Sequence, residues 1–356
     1  MRIAVFIICL LLSENLLAQQ TFPVKITDFS PQYEASIDLN KKDTLIKGMF
    51  ENYNPEYVIK VWNKRSKKVV LTAYSSYYPD YLMNQNNEAI ANVKELPYGS
   101  QSVLIYEDFN FDKIPDLAIM NGNNSCYSGP SFDIYLAQAS RFVYSEGFSD
   151  LSNNYCGMFQ VDADTKEIHT MSKGGCCYHE YSTFKVVNNK PVLVKLISEG
   201  ISYEPPRFTE LTIKETKNGR TTSKVSLMLP YEIEEDSTSM LSFTLEKNAK
   251  KIVLFPSDSI LYYTLLKPDD FIEFSYPKPK WTEASQDYIY DHFTYDGASG
   301  TLRFKNKETE YIIYETGNSI GVKVTTKGNS YDLKGVYTSK KGSLKQFVHA
   351  QLKNLL

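Results

Sequence analysis

The chain has 356 residues, which is enough for two ordinary domains or one large β domain. Its formal net charge of -3 and pI of about 5.9 offer no basic face, so the composition argues against a nucleic-acid partner. The sequence contains 27 Tyr and 19 Phe, and this aromatic content suits strands better than helices.

The first eighteen residues have the order of a secretory signal peptide. Arg2 gives a positive start, an apolar run covers residues 3–12, and Ala18 ends a small-residue cleavage site. The run is too short to span a bilayer, so an uncleaved anchor is the weaker alternative. Cys9 lies inside the apolar run, and no cysteine follows a small residue near the cleavage point. We therefore expect cleavage after Ala18, no lipid anchor, no membrane span, and a periplasmic or extracellular protein.

Short apolar segments separated by polar turns follow in chain order, which predicts an all-β fold. Several of these segments form hairpins, and one such pair meets at Asn188-Asn189-Lys190-Pro191. The strands predicted as far as residue 200 are 58–62, 68–71, 103–106, 116–120, 133–136, 141–144, 158–161, 166–170, 183–187 and 192–197.

The composition changes around the Pro205-Pro206 pair, beyond which residues 218–280 contain neither cysteine nor histidine. Strands are predicted there at 224–227 and 241–245, and a proline-lysine linker at 277–280. A β-meander follows, with strands near 301–304, 311–314, 321–324 and 331–333 and glycines at the turns. Residues 344–356 carry apolar side chains at helical spacing behind a Ser343/Gln346 capping box, which predicts a packed terminal helix.

The strongest chemical motif is the acidic loop between the predicted strands 103–106 and 116–120. Asp108, Asn110, Asp112 and Asp116 place oxygen-bearing side chains at alternate positions and at the end of the loop, and Ile114 adds a backbone carbonyl. Calcium takes six to eight oxygen ligands in a wrapped loop of this kind. The spacing therefore predicts a structural calcium site.

One residue departs from the pattern of such loops. Lys113 stands where glycine usually allows a sharp turn, and a non-glycine residue reaches the left-handed region only at a cost of about 1 kcal/mol or more. An acidic turn without an ion is the alternative. A second pair, Asp162 and Asp164, is better explained as a plain hairpin turn than as another ion site.

Four cysteines remain after export, Cys126, Cys156, Cys176 and Cys177. An even number in an oxidising compartment predicts two disulfides. A bridge between the adjacent cysteines would form a strained local ring, so we expect Cys176 and Cys177 each to pair with one of Cys126 and Cys156.

The histidines leave other chemistry open. His179 follows Cys177 closely, so a zinc site is an alternative to disulfides, although export favours the disulfides. His169 and His179 could serve as acid–base groups, but the sequence has no serine-hydrolase or metalloprotease motif and no evident Cys–His dyad. The paired catalytic carboxylates of a glycosidase have no fixed spacing in a sequence, so no such pair can be recognised here. The sequence therefore assigns no catalytic residue, and a hydrolase is the weakest hypothesis.

Four motifs together resemble one known family: YEDFNFD at 106–112, GPSFDIYL at 129–136, YCGMF at 155–159 and GGCCYH at 174–179. They are similar to those of calcium-binding periplasmic immunity proteins that inhibit a peptidoglycan-hydrolase toxin of type IV secretion. The resemblance covers about residues 22–200. It implies a β-propeller-like fold there, calcium in the acidic loop, and an inhibitory surface like that of periplasmic lysozyme inhibitors.

No inhibitory motif can be carried over residue by residue. Polar, glycine-rich loops held by disulfides are preorganised for binding, so the candidate surface is the loop Asn121–Pro130 and the turn Cys176–His179. Within these segments, Tyr127, Tyr178 and His179 are the candidate contact residues.

These observations predict an exported, non-catalytic binding protein whose partner is a peptidoglycan hydrolase or another exported protein. The alternative is a calcium-stabilised structural or glycan-binding module of the envelope, in which tyrosines stack on sugar rings. The predicted segments are a signal peptide at 1–18, a β domain with the calcium loop and the cysteines at 19–205, a β-rich middle region at 206–280, and a meander with a terminal helix at 281–356.

Overall fold

A computed structural model describes residues 23–39, 57–76, 83–86, 88–95, 99–139, 141–230, 233 and 239–356 of the protein. The predicted signal peptide lies outside the described residues, so export and cleavage stay predictions. No helix in the described ranges is long and apolar enough to cross a membrane.

The chain divides into two compact units. The first unit holds the described residues up to Thr170 together with Val186–Val192, and the second holds Met171–Lys185 and Leu193–Leu356. The segment limits predicted near residues 205 and 280 stay predictions. Both units consist mainly of strands, which confirms the all-β prediction.

The first unit contains a five-stranded sheet and a four-stranded sheet. One sheet has the order β4-β3-β2-β1-β5, in which β5 runs parallel to β1, and the other has the order β6-β7-β8-β9. Their bounds are β1 Val24–Thr27, β2 Tyr33–Leu39, β3 Tyr57–Asn63, β4 Val69–Ser75, β5 Ala89–Ile90, β6 Leu104–Glu107, β7 Asp116–Ser125, β8 Gly129–Gln138 and β9 Arg141–Tyr144.

Alternating burial explains why these segments form strands. In β3, Ile59 and Val61 are fully buried while Lys60 between them is exposed. Successive side chains of a strand point to opposite faces, so one face of β3 joins the core and the other meets solvent. In β7 the first five residues are all buried, so that strand is covered on both faces.

An α-helix, α1 at Glu146–Asn153, follows β9, and the sequence analysis missed it. Its Phe148 and Leu151 are buried, and two of its serines cap backbone groups of β8. Ser149 Oγ accepts a hydrogen bond from Ile134 N (2.9 Å), and Ser152 Oγ accepts one from Phe132 N (2.8 Å). The helix therefore satisfies amides of β8 that no strand pairs.

A six-stranded sheet follows chain order from β10 to β15. Strands β13, β14 and β15 are long antiparallel neighbours, and β15 is the last strand in the order. The first six residues of β15, Arg220 to Val225, are all exposed. The bounds are β10 Gln160–Asp162, β11 Glu167–Lys173, β12 His179–Val187, β13 Lys190–Ile201, β14 Thr209–Lys217 and β15 Arg220–Met228.

The rest of the second unit forms three further sheets, with the orders β19-β18-β17-β16-β27, β20-β21 and β22-β23-β24-β25-β26. The last of these is the predicted C-terminal meander, which is confirmed. The bounds are β16 Leu241–Thr244, β17 Lys251–Ser257, β18 Ile260–Leu266, β19 Ile272–Tyr276, β20 Lys280–Thr282, β21 Asp287–Ile289, β22 Thr294–Asp296, β23 Thr301–Asn306, β24 Thr309–Thr316, β25 Ser319–Thr326, β26 Asn329–Lys334 and β27 Lys341–Gly342.

Stacked aromatic rings fill the core of this part of the second unit. Phe304 stacks on Tyr311 with ring centroids 4.6 Å apart and on Tyr276 at 4.3 Å, and Tyr263 packs against Phe304 at 5.0 Å. Such pairs add about 0.5–1.5 kcal/mol each beyond the area they bury. The high aromatic content of the sequence is therefore partly core.

The predicted terminal helix is wrong in extent and type. A 3₁₀ helix covers Leu344–His349, and the residues after it have no helical structure. The tail pairs its backbone elsewhere: Phe293 N donates to Asn354 O (2.8 Å) and Leu356 N donates to Phe293 O (2.9 Å). Because these groups bond outside the tail, an α-helix there would lose them.

Glu315 fixes the start of this tail. Its carboxylate accepts hydrogen bonds from Lys340 Nζ (2.6 Å), Ser343 Oγ (2.8 Å) and Leu344 N (2.7 Å). Burial acts to raise the pKa of Glu315, but these hydrogen bonds and the charge of Lys340 outweigh it, so the pKa lies below its usual value.

We expect Glu315→Gln to lower the free energy of unfolding by about 1.5–3 kcal/mol at pH 7, because hydrogen bonds to a charged group are lost. The pKa of Glu315 is lower in the folded protein than its unfolded value of 4.5. The charged carboxylate therefore stabilises the fold at pH values above 4.5, and this stabilisation is lost as the pH falls through the folded-state pKa. Urea denaturation at pH 7 and at pH 3 should therefore show a smaller difference at pH 3. Exposed Glu310→Gln is the control, and an equal loss in both variants would contradict the assignment.

Candidate functional site

The acidic loop connects β6 to β7 and is anchored by one buried ring. Phe109 is fully buried, and its ring meets Phe159 edge-on with centroids 5.3 Å apart. The loop turns at Phe111 (φ 64°) and at Lys113 (φ 71°), both in the left-handed region. Lys113 thus adopts the conformation for which glycine was expected, at a cost of about 1–2 kcal/mol.

The side-chain oxygens of the loop point toward its own backbone amides. Asp112 N donates to Asp108 Oδ1 (3.1 Å) and to Asn110 Oδ1 (3.2 Å), and Lys113 N donates to Asp108 Oδ2 (2.8 Å). Ile114 N donates to Asp112 Oδ1 (2.8 Å). Oxygens of Asp108 and Asn110 therefore lie within hydrogen-bonding distance of the same amide.

Asp116 is the fully buried member of the set. Its carboxylate accepts hydrogen bonds from Phe109 N (2.9 Å) and Ala137 N (2.7 Å). Burial raises the pKa of Asp116 to about 7, the two amides act against this rise, and the charges of Asp112 and Asp108 add to it. Among the ion pairs of the described residues, none includes these three carboxylates.

The donor set has the chemistry of a hard-cation site, since its side-chain ligands are carboxylate and amide oxygens. In the part of the chain that the structure describes, no three His, Cys, Asp or Glu side chains converge as a metal cluster. An ion bound here would therefore also need the amide oxygen of Asn110 and the carbonyl of Ile114. These five residues, Asp108, Asn110, Asp112, Ile114 and Asp116, are the ligands that the sequence predicts.

The second acidic pair forms the hairpin turn that the sequence favours. Asp162 Oδ1 accepts hydrogen bonds from Asp164 N (2.9 Å) and Thr165 N (3.1 Å) between β10 and β11. The Asp162 carboxylate therefore accepts hydrogen bonds from backbone amides of its own turn, as aspartates in turns commonly do.

The cysteines form two disulfides, but the expected pairing is wrong. Cys126 pairs with Cys156, and Cys176 pairs with its neighbour Cys177. The backbone explains the first bridge, because Cys126 N donates to Tyr155 O (3.3 Å) and brings the two segments together. The second bridge lies in the short connection between β11 and β12. With all four sulfurs paired, the cysteines offer no thiolate to zinc.

The Cys126–Cys156 bridge ties the tip of the β7–β8 hairpin to the segment that follows α1. The tip is a single turn, Cys126–Ser128, in which Tyr127 (φ 54°) and Ser128 (φ 58°) both have left-handed backbones. Ser125 Oγ also accepts a hydrogen bond from Gly157 N (3.2 Å), beside the bridge. Tyr127 is 63% exposed on this turn.

A polar network holds the base of the same hairpin. Asn121 Nδ2 donates to Asp133 Oδ1 (2.8 Å), and Ser131 Oγ donates to Asn121 Oδ1. Ser131 Oγ in turn accepts a hydrogen bond from Asn124 N (3.1 Å). Burial raises the pKa of Asp133, and the hydrogen bond from Asn121 opposes that rise. The loop Asn121–Pro130 is thus fixed at its base as well as at its tip.

Tyr178 and His179 belong to the second unit, whereas Tyr127 belongs to the first. The ring of Tyr178 lies against the backbone of Gly174 and Gly200, and its hydroxyl donates to Glu180 Oε1 (2.7 Å). This hydrogen bond is the main reason that the pKa of Tyr178 is raised. His179 is half-buried at the start of β12, and His169 lies in β11.

Two residues that hold the candidate site residues carry no signal in the sequence. Asn189 Oδ1 accepts a hydrogen bond from Asn110 Nδ2 (3.3 Å), across 79 residues of chain, and Glu180 holds Tyr178. The run Asn121-Gly122-Asn123-Asn124 was a usable sign, because polar residues interrupt an otherwise apolar strand there.

Comparison with known proteins gives weak likenesses. No family model matches the chain, and no curated protein matches it. The solved structure of a Xanthomonas type IV secretion system related protein is 20% identical to this chain. The match covers 57% of this chain and 92% of that chain, with a TM-score of 0.41. TolB from Acinetobacter baumannii is 8% identical, covering 85% of this chain and 80% of that chain with a TM-score of 0.18. At these scores neither likeness supports an argument about function.

We expect Cys126→Ser/Cys156→Ser to lower the free energy of unfolding by about 3–4 kcal/mol, because the bridge closes a separation of 30 residues in the unfolded chain. Cys176→Ser/Cys177→Ser is the matched control. The Cys176–Cys177 bridge joins residues with a sequence separation of 1, so it restricts the unfolded chain very little. Its removal should therefore lower the free energy of unfolding far less. Urea denaturation of both double variants checks this, and equal losses would refute the explanation.

Proposed function

We propose that this chain is an exported, non-catalytic binding protein that inhibits a cell-wall hydrolase by inserting its Cys126–Ser128 turn. The observation that carries the proposal is the exposure of Tyr127, a large aromatic side chain on a turn that a disulfide holds in place.

Rigidity is what makes this turn suitable for inhibition. Ordering a loop on binding costs free energy, and a turn already held by a disulfide and side-chain hydrogen bonds avoids most of that cost. Tyr127 and Ser128 both have left-handed backbones within this short turn. Exposed tyrosines at the centre of a preorganised surface are frequent hot spots of protein interfaces.

The target class follows from the motifs that resemble immunity proteins and from the predicted export. The active sites of hydrolases are concave, and a turn of three residues is narrow enough to enter a cleft. A protein that acts in this way needs no catalytic residue of its own.

We further propose that the Asp108–Asp116 loop binds calcium and that the ion has a structural role. Three carboxylates lie in or beside one loop, Asp116 is buried, and a divalent cation would neutralise their repulsion. The loop leads directly into β7, the strand that carries the inhibitory turn at its other end. Calcium would therefore stabilise the support of the turn without contacting the target.

Inhibition can be tested with purified protein and suspensions of peptidoglycan. We expect the wild type to slow lysis by at least one hydrolase of the lysozyme or amidase type, and Tyr127→Ala to weaken that inhibition at least about tenfold, as hot-spot truncations do. Turbidity against protein concentration gives the inhibition constant.

Tyr74→Ala is the matched control, because Tyr74 is a similarly exposed tyrosine of β4 in the same unit. It should inhibit like the wild type. If no hydrolase of either type is slowed, or if Tyr127→Ala inhibits fully, the proposal fails.

Calcium binding can be tested by thermal unfolding after treatment with a chelator. Calcium at about 100 times its dissociation constant should stabilise by roughly 2.7 kcal/mol, which raises the Tm by about 5–10 °C for a domain of this size. Asp112→Asn should reduce the rise, since exposed Asp112 loses charge but keeps its acceptor for Ile114 N. Asp164→Asn is the control. An unchanged Tm in the wild type on adding calcium would count against the site.

A further inference from the structure

A second candidate binding site lies wholly within the second unit. A cleft of about 550 Å³ opens beside Tyr178, and we call it the Tyr178 cleft. It lies within the range of small-ligand sites, about 300–1,000 Å³. The side chains that matter for its chemistry are Tyr178, Tyr203, Phe208, Glu204, Glu210 and Lys278.

Tyr178 provides a fixed aromatic surface in this cleft. A Cβ added at Gly174 would come within 3.2 Å of one ring edge, and a Cβ added at Gly200 within 3.3 Å of the other, so the two glycines leave close-fitting space for the ring. The hydroxyl is held by Glu180, which also accepts hydrogen bonds from Ser198 Oγ (3.1 Å) and Ser172 Oγ (3.3 Å). The ring nevertheless stays 42% exposed. An immobilised, exposed ring loses little entropy when a ligand stacks on it.

The neighbouring disulfide stiffens the turn that carries this ring. Cys176 and Cys177 immediately precede Tyr178 and are bonded to each other. Gly174 N donates to Tyr178 O (2.9 Å), which closes the same turn. The turn is therefore restrained by a covalent bond and by a hydrogen bond on the side of the cleft where Tyr178 lies.

Two carboxylates of the cleft can accept hydrogen bonds from a ligand. Glu204 and Glu210 contribute carboxylates, and across the described ion pairs neither has a cationic partner. The hydroxyl of Tyr178 already donates to Glu180, and Lys278 Nζ donates to Ser275 Oγ (2.9 Å). A suitable ligand should bring many O–H or N–H donors together with a flat apolar face.

We propose that the Tyr178 cleft binds an oligosaccharide of pyranose rings. The C–H face of one sugar ring would stack on Tyr178, fully exposed Tyr203 would cover a second ring, and the sugar hydroxyls would donate to Glu204 and Glu210. The site is independent of the inhibitory turn of the first unit, so either function can fail without the other.

A proline-rich peptide is the main competing ligand, because aromatic and proline side chains also line polyproline grooves. Such a peptide presents backbone carbonyls and lacks the N–H donors that carboxylates accept. The carboxylates of Glu204 and Glu210 would therefore receive no hydrogen bond from the backbone of such a peptide. The two carboxylates therefore favour a saccharide, whose hydroxyls can donate to them.

Isothermal titration of the full chain with chitotetraose and with cellotetraose tests the proposal, and a decaproline peptide serves as the competing probe. We expect one or both sugars to bind. Tyr178→Ala should weaken that binding at least tenfold, and Tyr203→Ala several-fold. Tyr178→Phe should stay within about threefold of the wild type, because the face is retained and the lost hydroxyl binds Glu180 and not the ligand.

Tyr331→Ala is the matched control, since Tyr331 is an exposed tyrosine of β26 outside the cleft. It should bind like the wild type. Tyr203→Ala keeps the test decisive if Tyr178→Ala unfolds, because a fully exposed side chain supports no packing. Binding of decaproline alone, binding of none of the probes, or sugar binding that survives loss of Tyr203 and of Tyr178 would overturn the proposal.

Discussion

The hydrogen bonds that the buried carboxylate of Asp116 accepts are the interaction on which the first unit depends. It is buried at the first residue of β7 and accepts hydrogen bonds from Phe109 N in the acidic loop and from Ala137 N in β8. A buried carboxylate is costly unless donors surround it, so its two amides must stay where they are. One side chain thereby joins the loop, the strand that follows it and the neighbouring strand, and the hairpin that ends in Tyr127 starts from this junction.

The strands were predictable because their information is local. Alternating burial, as in Ile59 and Val61 of β3, leaves a period of two in the sequence, and turns such as Asn188-Asn189 mark the hairpins. The C-terminal tail was not predictable in the same way. Its apolar residues have helical spacing, but its backbone bonds to Phe293, and that partner is remote in the sequence. Tertiary pairing outweighed local propensity there.

The candidate site residues also differ in whether their contacts are local in the sequence or formed only by the fold. The five predicted oxygen donors lie in one continuous segment, so their spacing alone was informative. Tyr178 is held by Glu180 of β12, and Glu180 also accepts hydrogen bonds from Ser172 of β11 and Ser198 of β13, which only the sheet brings together. The prediction of the cysteine pairing was wrong for a related reason. It was based on the strain expected for a bridge between neighbouring cysteines, which is a local property, whereas the approach of Cys126 to Tyr155 is a property of the folded chain.

The last strand of the six-stranded sheet has a consequence for how the protein behaves in concentrated solution. An edge strand offers unpaired amides and carbonyls to other chains, and a long, flat, apolar edge is a starting point for aggregation. Strand β15 begins with Arg220, followed by two threonines, Ser223 and Lys224, and these residues are exposed. Two positive charges along this edge would repel a second copy arriving in register, so the sheet can be long without recruiting further molecules.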